Sequence, residues 1–347
     1  MENPYIRDES EIKMLVSPDY NFLFNKESGA FIRWGKTLED DPLYSPFGPE
    51  IADIEISTIC HGVNDEVCRF CYKGNTPKGE NMSFETFKAV FANLPKTVGQ
   101  IAFGIGDLEG NPDLKKIFEY SREHGVIPNV TINGDSLTEG WAQWLTNTCG
   151  AVAVSCYDYE ITCNAVDMLT RAGLKQVNIH FMLSDETLKK AMHLIYLLEM
   201  EPRLAKLNAL VFLGLKLKGR AKETFTPLSQ ERFTLLVNLA LSRNVPIGFD
   251  SCSAFKFLNA LSEEQYTKYI NYVEPCESTC FSSYINVQGK FFPCSFMEGE
   301  PGWEEGIDAV NCKNFLDDVW NCPKTCNFRD QVIKTKESKR SCAHYEI

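Results

Sequence analysis

The chain has 347 residues, 44% of them hydrophobic, and a formal net charge of −12. That length accommodates one large domain plus a smaller one, and the composition can bury a sizeable core. The acidic balance argues against a protein that follows a nucleic-acid backbone. No apolar run is long enough for a bilayer, and the N-terminus lacks the pattern of a signal peptide. We therefore expect a cytoplasmic protein with no membrane or nucleic-acid partner.

The 14 cysteines are numerous for such a chain. Without a secretion signal they indicate a reducing compartment, and in that setting cysteines bind metals more often than they form disulfides. The sequence therefore predicts metal ligation.

Residues 1–50 form an N-terminal extension in this interpretation. The apolar runs 21–24 and 30–34 flank a polar turn that contains Gly29. This pattern predicts a β-hairpin.

Residues 51–253 alternate between apolar strands and amphipathic helices, which predicts a parallel sheet with right-handed crossovers. Asn111 is the expected N-cap of one helix, which should end at Gly125. Periodicity alone does not separate an open partial barrel from a doubly wound sheet, but both place the ligand site at the carboxyl ends of the strands. The expected strands cover 51–59, 100–103, 128–132, 151–155, 176–183, 209–215 and, as a short addition, 247–250.

Three cysteines follow the first of these strands, with the spacing Cys-x7-Cys-x2-Cys: Cys60, Cys68 and Cys71. A structural zinc site closes with four ligands. Three thiolates on one loop instead suit a 4Fe-4S cluster with one open iron, since a closed cluster takes four cysteines. A zinc knuckle and buried structural thiols are the alternatives.

This loop resembles the cluster motif of radical S-adenosylmethionine (radical SAM) enzymes, usually Cys-x3-Cys-x2-Cys. Phe70 occupies the family's aromatic place before the last cysteine, and Tyr72 follows it; the first gap is longer by four residues. The resemblance implies a partial (β/α)6 parallel barrel, here with an N-terminal hairpin extension and a small C-terminal cysteine-rich α+β extension. It also implies a 4Fe-4S cluster with S-adenosylmethionine, and an electron donor such as flavodoxin or ferredoxin.

The same resemblance assigns cofactor-binding roles to polar residues and glycines at later strand ends. Gly104, Gly106 and Asp107 stand where the family has a Gly-Gly-Glu-Pro-like segment, although the Glu-Pro part is absent. For each residue the alternative is an ordinary strand-to-helix turn or a core side chain. The full set of expected cofactor-binding residues is Phe70, Tyr72, Gly104, Gly106, Asp107, Asn133, Ser155 with Asp158 as its alternative, and His180.

Residues 254–347 contain seven cysteines between Cys276 and Cys342, both included. The spacing Gly289-x4-Cys294 resembles the start of the SPASM or twitch extension of radical SAM enzymes. This resemblance implies one auxiliary 4Fe-4S cluster. The expected ligands are Cys276, Cys294, Cys312 and Cys342, with Cys280 in reserve; Cys322 and Cys326 are expected to be helix thiols, and Cys149, Cys163 and Cys252 structural thiols.

The family chemistry cleaves S-adenosylmethionine to a 5′-deoxyadenosyl radical, which removes a hydrogen atom from a substrate. We expect oxidative modification of a peptide or protein, such as a crosslink, because an auxiliary cluster can accept an electron from the product radical. The alternatives are a small-molecule substrate, such as a sugar or cofactor precursor, and peptide epimerisation with Cys252 as hydrogen donor. A non-enzymatic iron–sulfur or zinc protein is a third class.

Overall fold

The computed structural model describes residues 4–345 and begins with a four-stranded antiparallel sheet. Its strands are β1 (Tyr5–Asp8), β2 (Ile12–Val16), β3 (Asn21–Asn25) and β4 (Phe31–Trp34), paired in sequence order. The expected hairpin is β3–β4, and the sequence reasoning missed β1 and β2.

This sheet packs on the amino end of the barrel. The ammonium of Lys13 donates to the Val98 carbonyl at 2.6 Å, and a Cβ on Gly99 would lie 2.9 Å from the ring of Phe24. Because Val98 and Gly99 directly precede a barrel strand, the sheet lies at the opposite end from the cysteine loop.

A second sheet of ten strands forms the main body. Seven of its strands are parallel neighbours in chain order. They are β5 (Ile51–Glu55), β6 (Gln100–Gly104), β7 (Ile127–Ile132), β8 (Ala151–Ser155), β9 (Gln176–Leu183), β10 (Ala209–Gly214) and β11 (Ile247–Phe249). The first strand ends four residues before its expected end at Ile59, since the chain there turns into the cysteine loop.

Six helices connect these strands. They are α1 (Phe84–Asn93), α2 (Leu114–Glu123), α3 (Glu139–Thr148), α4 (Tyr159–Arg171), α5 (Leu188–Met200) and α6 (Gln230–Ser242). The strand order never reverses, so the sheet lacks the switch point of a doubly wound fold. The partial (β/α)6 barrel is therefore confirmed, with β11 as an added edge strand.

The C-terminal region continues the same sheet. Strand β12 (Ser282–Ile285) pairs in parallel with β5, and β13 (Lys290–Phe292) and β14 (Ile307–Asp308) follow antiparallel. The same region contains the helices α7 (Ala254–Leu258), α8 (Glu263–Tyr269) and α9 (Pro323–Glu337). The domain boundaries expected at residues 50 and 253 stay predictions. The hydrogen bonds between β5 and β12 join the segments on either side of residue 253.

The two faces of the barrel strands differ in polarity. Ala52 and Ile54 on β5 are fully buried against the helices. The residues that alternate with them, such as Asp53, point into the half-exposed barrel interior. This polar interior opens at the carboxyl ends of the strands. Within residues 4–345, no helix combines the length and apolarity needed to cross a membrane.

Candidate active site

The two ends of the cysteine loop, at Ile56 and Met82, come close together and form a narrow neck that Asn111 bridges. Its side-chain amide donates to the carbonyls of Ile56, at 2.7 Å, and Met82, at 2.9 Å, on the two sides of the neck. Its oxygen accepts from the backbone of Asp113 at 2.8 Å. Asn111 was expected to be the N-cap of α2; the N-cap is Asp113 instead, and Asn111 fixes the base of the loop.

The long first gap of the motif contains a tight hairpin turn. Val63 and Glu66 exchange both backbone hydrogen bonds at 3.1 Å, and the two residues between them, Asn64 and Asp65, have φ values of 54° and 60°. Positive φ at both central positions is the signature of a type I′ turn, in which Asn and Asp are favoured. The turn thus spans four residues, the number by which the gap exceeds the family spacing.

The loop after β6 packs directly against Cys60. A Cβ on Gly106 would lie 2.0 Å from the carbonyl oxygen of Ile59, so only glycine fits there. Next to it, the Asp107 carboxylate accepts from the His61 backbone at 2.9 Å and contacts the His61 ring at 2.7 Å. Asn133, after β7, donates to Asp107 at 3.2 Å. Gly106, Asp107 and Asn133 therefore meet at the cysteine loop.

Arg220, which sequence reasoning missed, holds the other end of the motif. Its guanidinium donates to the carbonyls of Cys68, at 2.8 Å, and Asn75, at 3.1 Å, and its backbone donates to the Cys71 carbonyl at 3.1 Å. Gly219 before it has a φ of 59° and lies so close to Tyr72 that a Cβ would be 2.4 Å from its carbonyl oxygen. The segment after β10 thus clamps the loop from Cys68 to Tyr72.

An aromatic wall lies beside the Cys68 thiol. The Phe70 ring packs on Tyr157 at 5.4 Å and on Phe225 at 5.7 Å between centroids. The Tyr157 side chain lies beside the Cys68 thiol. Burial raises the pKa of Cys60 to about 11 and also raises that of Cys68. These thiols are protonated at neutral pH, and a bound cluster would supply the positive charge that releases their protons.

A second group of thiols includes Cys252, after β11, and cysteines of the C-terminal region. Burial, followed by the neighbouring Cys252 and Cys342, raises the pKa of Cys294 to about 12. Burial and then Cys294, Cys342 and Cys280 do the same for Cys276. Cys252, Cys276, Cys294 and Cys342 therefore lie near one another. Cys252, expected to be a packing residue, lies in the short turn Ser251–Ser253, which makes it a further candidate ligand.

The Cys342 sulfur has backbone hydrogen bonds of the kind that cluster ligands accept. It accepts from the backbone N–H groups of residues 344 and 345 at 3.5 and 3.3 Å. N–H donors aimed at sulfur stabilise thiolates and tune iron–sulfur clusters.

The thiol of Cys312, by contrast, donates to the Ala309 carbonyl at 3.6 Å, and its pKa is raised by burial and nearby aspartates rather than by other cysteines. Of the expected auxiliary ligands, Cys276, Cys294 and Cys342 thus lie in this group, whereas Cys312 as a ligand stays a prediction. Cys322 and Cys326 also donate to carbonyls, at 3.4 Å. The reserve ligand Cys280 is fully buried and faces Lys336 and Arg329.

Neither thiol group resembles the site of a single metal ion. Across residues 4–345, no three His, Cys, Asp or Glu side chains converge closely enough to bind one ion. The cysteines of a 4Fe-4S cluster each bind a different iron and stand around a cube rather than a point. Thiols are the donors that iron–sulfur clusters take, so the donor set of each group fits a cluster.

Tyr72 connects the two thiol groups. Its hydroxyl bonds to that of Ser295 at 3.1 Å, and its ring packs on Phe296 at 4.2 Å. Tyr72 follows Cys71, while Ser295 and Phe296 follow Cys294. The two sites are thus joined by one aromatic contact.

The remaining expected residues lie along the barrel interior. Ser155 and His180 are register partners on β8 and β9, and His180 contacts the Thr131 hydroxyl at 3.4 Å. Burial lowers the pKa of His180 to about 4, so it is neutral at pH 7. The Asp158 carboxylate instead accepts from the Ile161 backbone at 3.0 Å as the N-cap of α4.

A buried charged network, also missed from the sequence, lines a cavity of about 410 Å³ beside Tyr72. The Lys73 ammonium pairs with Glu298 and, at 3.2 Å, with Glu55. The Tyr284 hydroxyl donates to Glu55 at 3.0 Å. Separately, Asp53 points into the barrel interior without a hydrogen-bond partner among residues 4–345, and burial raises its pKa to about 7.

Comparison with solved structures identifies proteins of the same fold. SuiB of Streptococcus suis bound to the precursor peptide SuiA matches with a TM-score of 0.70 and 11% identity over 94% of this chain and 90% of that one. SuiB bound to S-adenosylmethionine gives 0.65 and 12% over the same shares. The protein anSMEcpe, with bound AdoMet and the Cp18Cys peptide, gives 0.57 and 15% over 82% and 83%.

No protein-family model matches the sequence, and no curated protein does. The chain therefore has the fold of SuiB and anSMEcpe, whose solved structures hold S-adenosylmethionine or a peptide. This confirms the architecture that the resemblance of its cysteine motifs implies.

Proposed function

We propose that this protein is a radical SAM enzyme in which Cys60, Cys68 and Cys71 hold the 4Fe-4S cluster that binds S-adenosylmethionine. The observation that carries the proposal is a three-thiol loop at the carboxyl end of β5, clamped by Asn111 and Arg220. When bound, the cluster supplies an electron that cleaves S-adenosylmethionine to a 5′-deoxyadenosyl radical. The chain positions the substrate and excludes water.

The polar residues at the strand ends support a role in cofactor binding. Gly106 allows close backbone approach at the loop, while Asp107 and Asn133 are linked to each other and to the residues that follow Cys60. Gly104, Ser155 and His180 line the interior above them. Asp158 contributes through the start of α4 instead, since its carboxylate caps that helix.

We further propose that Cys252, Cys276, Cys294 and Cys342 bind one auxiliary 4Fe-4S cluster. Cys252 and Cys342 lie near enough to Cys294 to raise its pKa, and the Cys342 sulfur accepts two backbone N–H bonds. With Cys252 as a ligand, no thiol is left at this place to return a hydrogen atom to a substrate. This favours net oxidation over epimerisation.

A peptide or protein is the substrate class that we propose. The support is the architecture shared with SuiB and anSMEcpe, whose solved structures contain peptides. A small molecule such as a sugar is the second candidate, because the barrel interior is lined with polar side chains that could bind its hydroxyl groups, among them Asp53 and His180.

The test of the first proposal is 5′-deoxyadenosine formation by the anaerobically reconstituted, reduced protein with S-adenosylmethionine. The Cys60→Ala/Cys68→Ala/Cys71→Ala variant should form none and should keep about four irons per chain at the auxiliary site. Undiminished product from this variant would refute the assignment. Mass spectrometry of candidate peptides would then show a product lighter by two hydrogens if the reaction is a net oxidation.

The auxiliary ligands are tested in the same triple variant. Adding Cys252→Ala should remove most of the remaining iron, whereas adding Cys312→Ala should leave it unchanged. Iron loss from the Cys312 variant with retention in the Cys252 variant would restore the ligand set expected from sequence.

A further inference from the structure

A basic groove opens at Cys342, on the outside of the molecule. Its volume is about 510 Å³, and its lining includes Lys256, Asn259, Lys339, Arg340, Cys342 and Tyr345. No acidic side chain among the described residues lines it. The proposed cluster ligand Cys342 thus faces a positively charged cleft.

The positive charge of the groove contrasts with the rest of the chain. Residues 334–342 contain four basic side chains and one acidic one, in a protein of net charge −12. Lys339 and Arg340 are exposed, and neither has an ion-pair partner within residues 4–345. Lys256 is different, because its half-buried ammonium donates to the Leu228 carbonyl. Lys339 and Arg340 therefore carry the field that a partner would meet.

The position of the groove indicates what kind of partner it suits. No residue of the Cys60–Cys71 loop lines it, so a molecule bound there would not contact the loop of the proposed S-adenosylmethionine cluster. It would instead lie against a proposed ligand of the auxiliary cluster. Such a position suits the exchange of electrons with that cluster.

We propose that this groove is the docking site of an acidic, one-electron carrier protein that exchanges electrons with the auxiliary cluster beside Cys342. The inference rests on the proposed function. In the reducing direction, a fully reduced flavin carrier gives up one electron and becomes a semiquinone, while the cluster goes from the 2+ to the 1+ state. In the oxidising direction, the electron left by the substrate radical returns to the carrier. Complementary charge would steer the encounter.

The experiment uses the reconstituted full chain and reduced flavodoxin, an acidic flavin protein, as the probe. Stopped-flow absorbance measures the second-order rate of cluster reduction at low ionic strength. The Lys339→Glu/Arg340→Glu variant should lower this rate about 10-fold, and added salt should lower the wild-type rate toward that of the variant. The control is Lys175→Glu/Lys206→Glu, which makes the same charge change at exposed sites before β9 and β10 and should stay within about twofold of the wild type.

A small reductant separates this proposal from the proposed function. With titanium(III) citrate, the wild type and both variants should form 5′-deoxyadenosine at equal rates. A docking variant that accepts electrons from flavodoxin as fast as the wild type would overturn the groove proposal, and so would an equal loss in the control. Absence of 5′-deoxyadenosine from the wild type with titanium(III) citrate would overturn the proposed function instead.

Discussion

The neck of the cysteine loop provides a sharp test of how the site is built. Asn111 is 3% exposed and makes three hydrogen bonds, two donated across the neck and one accepted from the start of α2. Each such bond contributes about 1 kcal/mol net. We therefore expect Asn111→Ala to lower the free energy of unfolding by about 3 kcal/mol.

Two matched variants make this prediction specific. If Asn111 were only a helix cap, Asn111→Asp would be nearly neutral, because Asp caps as well as Asn does. In the neck, however, a carboxylate would face two carbonyl oxygens without a proton to donate. Asn111→Asp should therefore cost at least as much as Asn111→Ala. The control is Asn147→Ala, which removes an exposed Asn bonded only to Gln143 and should cost less than about 0.5 kcal/mol.

The assay is urea-induced unfolding of the metal-free protein, followed by iron analysis after reconstitution. A loosened neck should also reduce the iron bound by the loop, while the auxiliary iron stays. If the unfolding free energies of both Asn111 variants lie within about 0.5 kcal/mol of the wild type, the proposed role of Asn111 in holding the neck is refuted.

Three further predictions concern the same end of the barrel. Gly106→Ala should abolish 5′-deoxyadenosine formation and loop iron, since its Cβ would lie 2.0 Å from the Ile59 oxygen; Gly140→Ala, whose nearest neighbour atom is 3.8 Å away, should keep both. Arg220→Met should lower 5′-deoxyadenosine formation at least about 10-fold with auxiliary iron unchanged, because two hydrogen bonds from a charged donor are lost; equal loss of both irons would contradict this. The raised pKa of Asp53, about 7 against 3.8 when unfolded, means that its contribution destabilises the fold as pH rises through this range. From pH 5 to pH 8, the free energy of unfolding of Asp53→Asn, measured in urea, should therefore rise by about 2 kcal/mol relative to that of the wild type. A difference between the two proteins that does not change with pH would exclude this cause.

Local patterns in the sequence determined most of the barrel. The strands Ala151–Ser155 and Gln176–Leu183 have the expected bounds, because an apolar run between turn residues pairs as a strand wherever neighbours cover it. The three-cysteine motif is equally local, since its members lie within 12 residues of one another. The hairpin of the N-terminal sheet was visible for the same reason, whereas the exposed strand β1 has no apolar pattern that would reveal it.

Contacts between residues that are distant in the chain could be identified only from the tertiary structure. Cys252 follows β11, at one end of the strand order, whereas Cys276 precedes β12, which pairs with β5, so no local pattern relates the two thiols. Cys312 was expected as a ligand because it lies in a separate loop, and its thiol donates to a nearby carbonyl. Asn111 and Arg220 show the same limit, since both act on backbone carbonyls, which carry no residue-specific signal in the sequence. Thus, the sequence by itself determined the strands and the first cluster motif, whereas the tertiary structure decided which C-terminal thiols lie near Cys252 and which residues hold the loop.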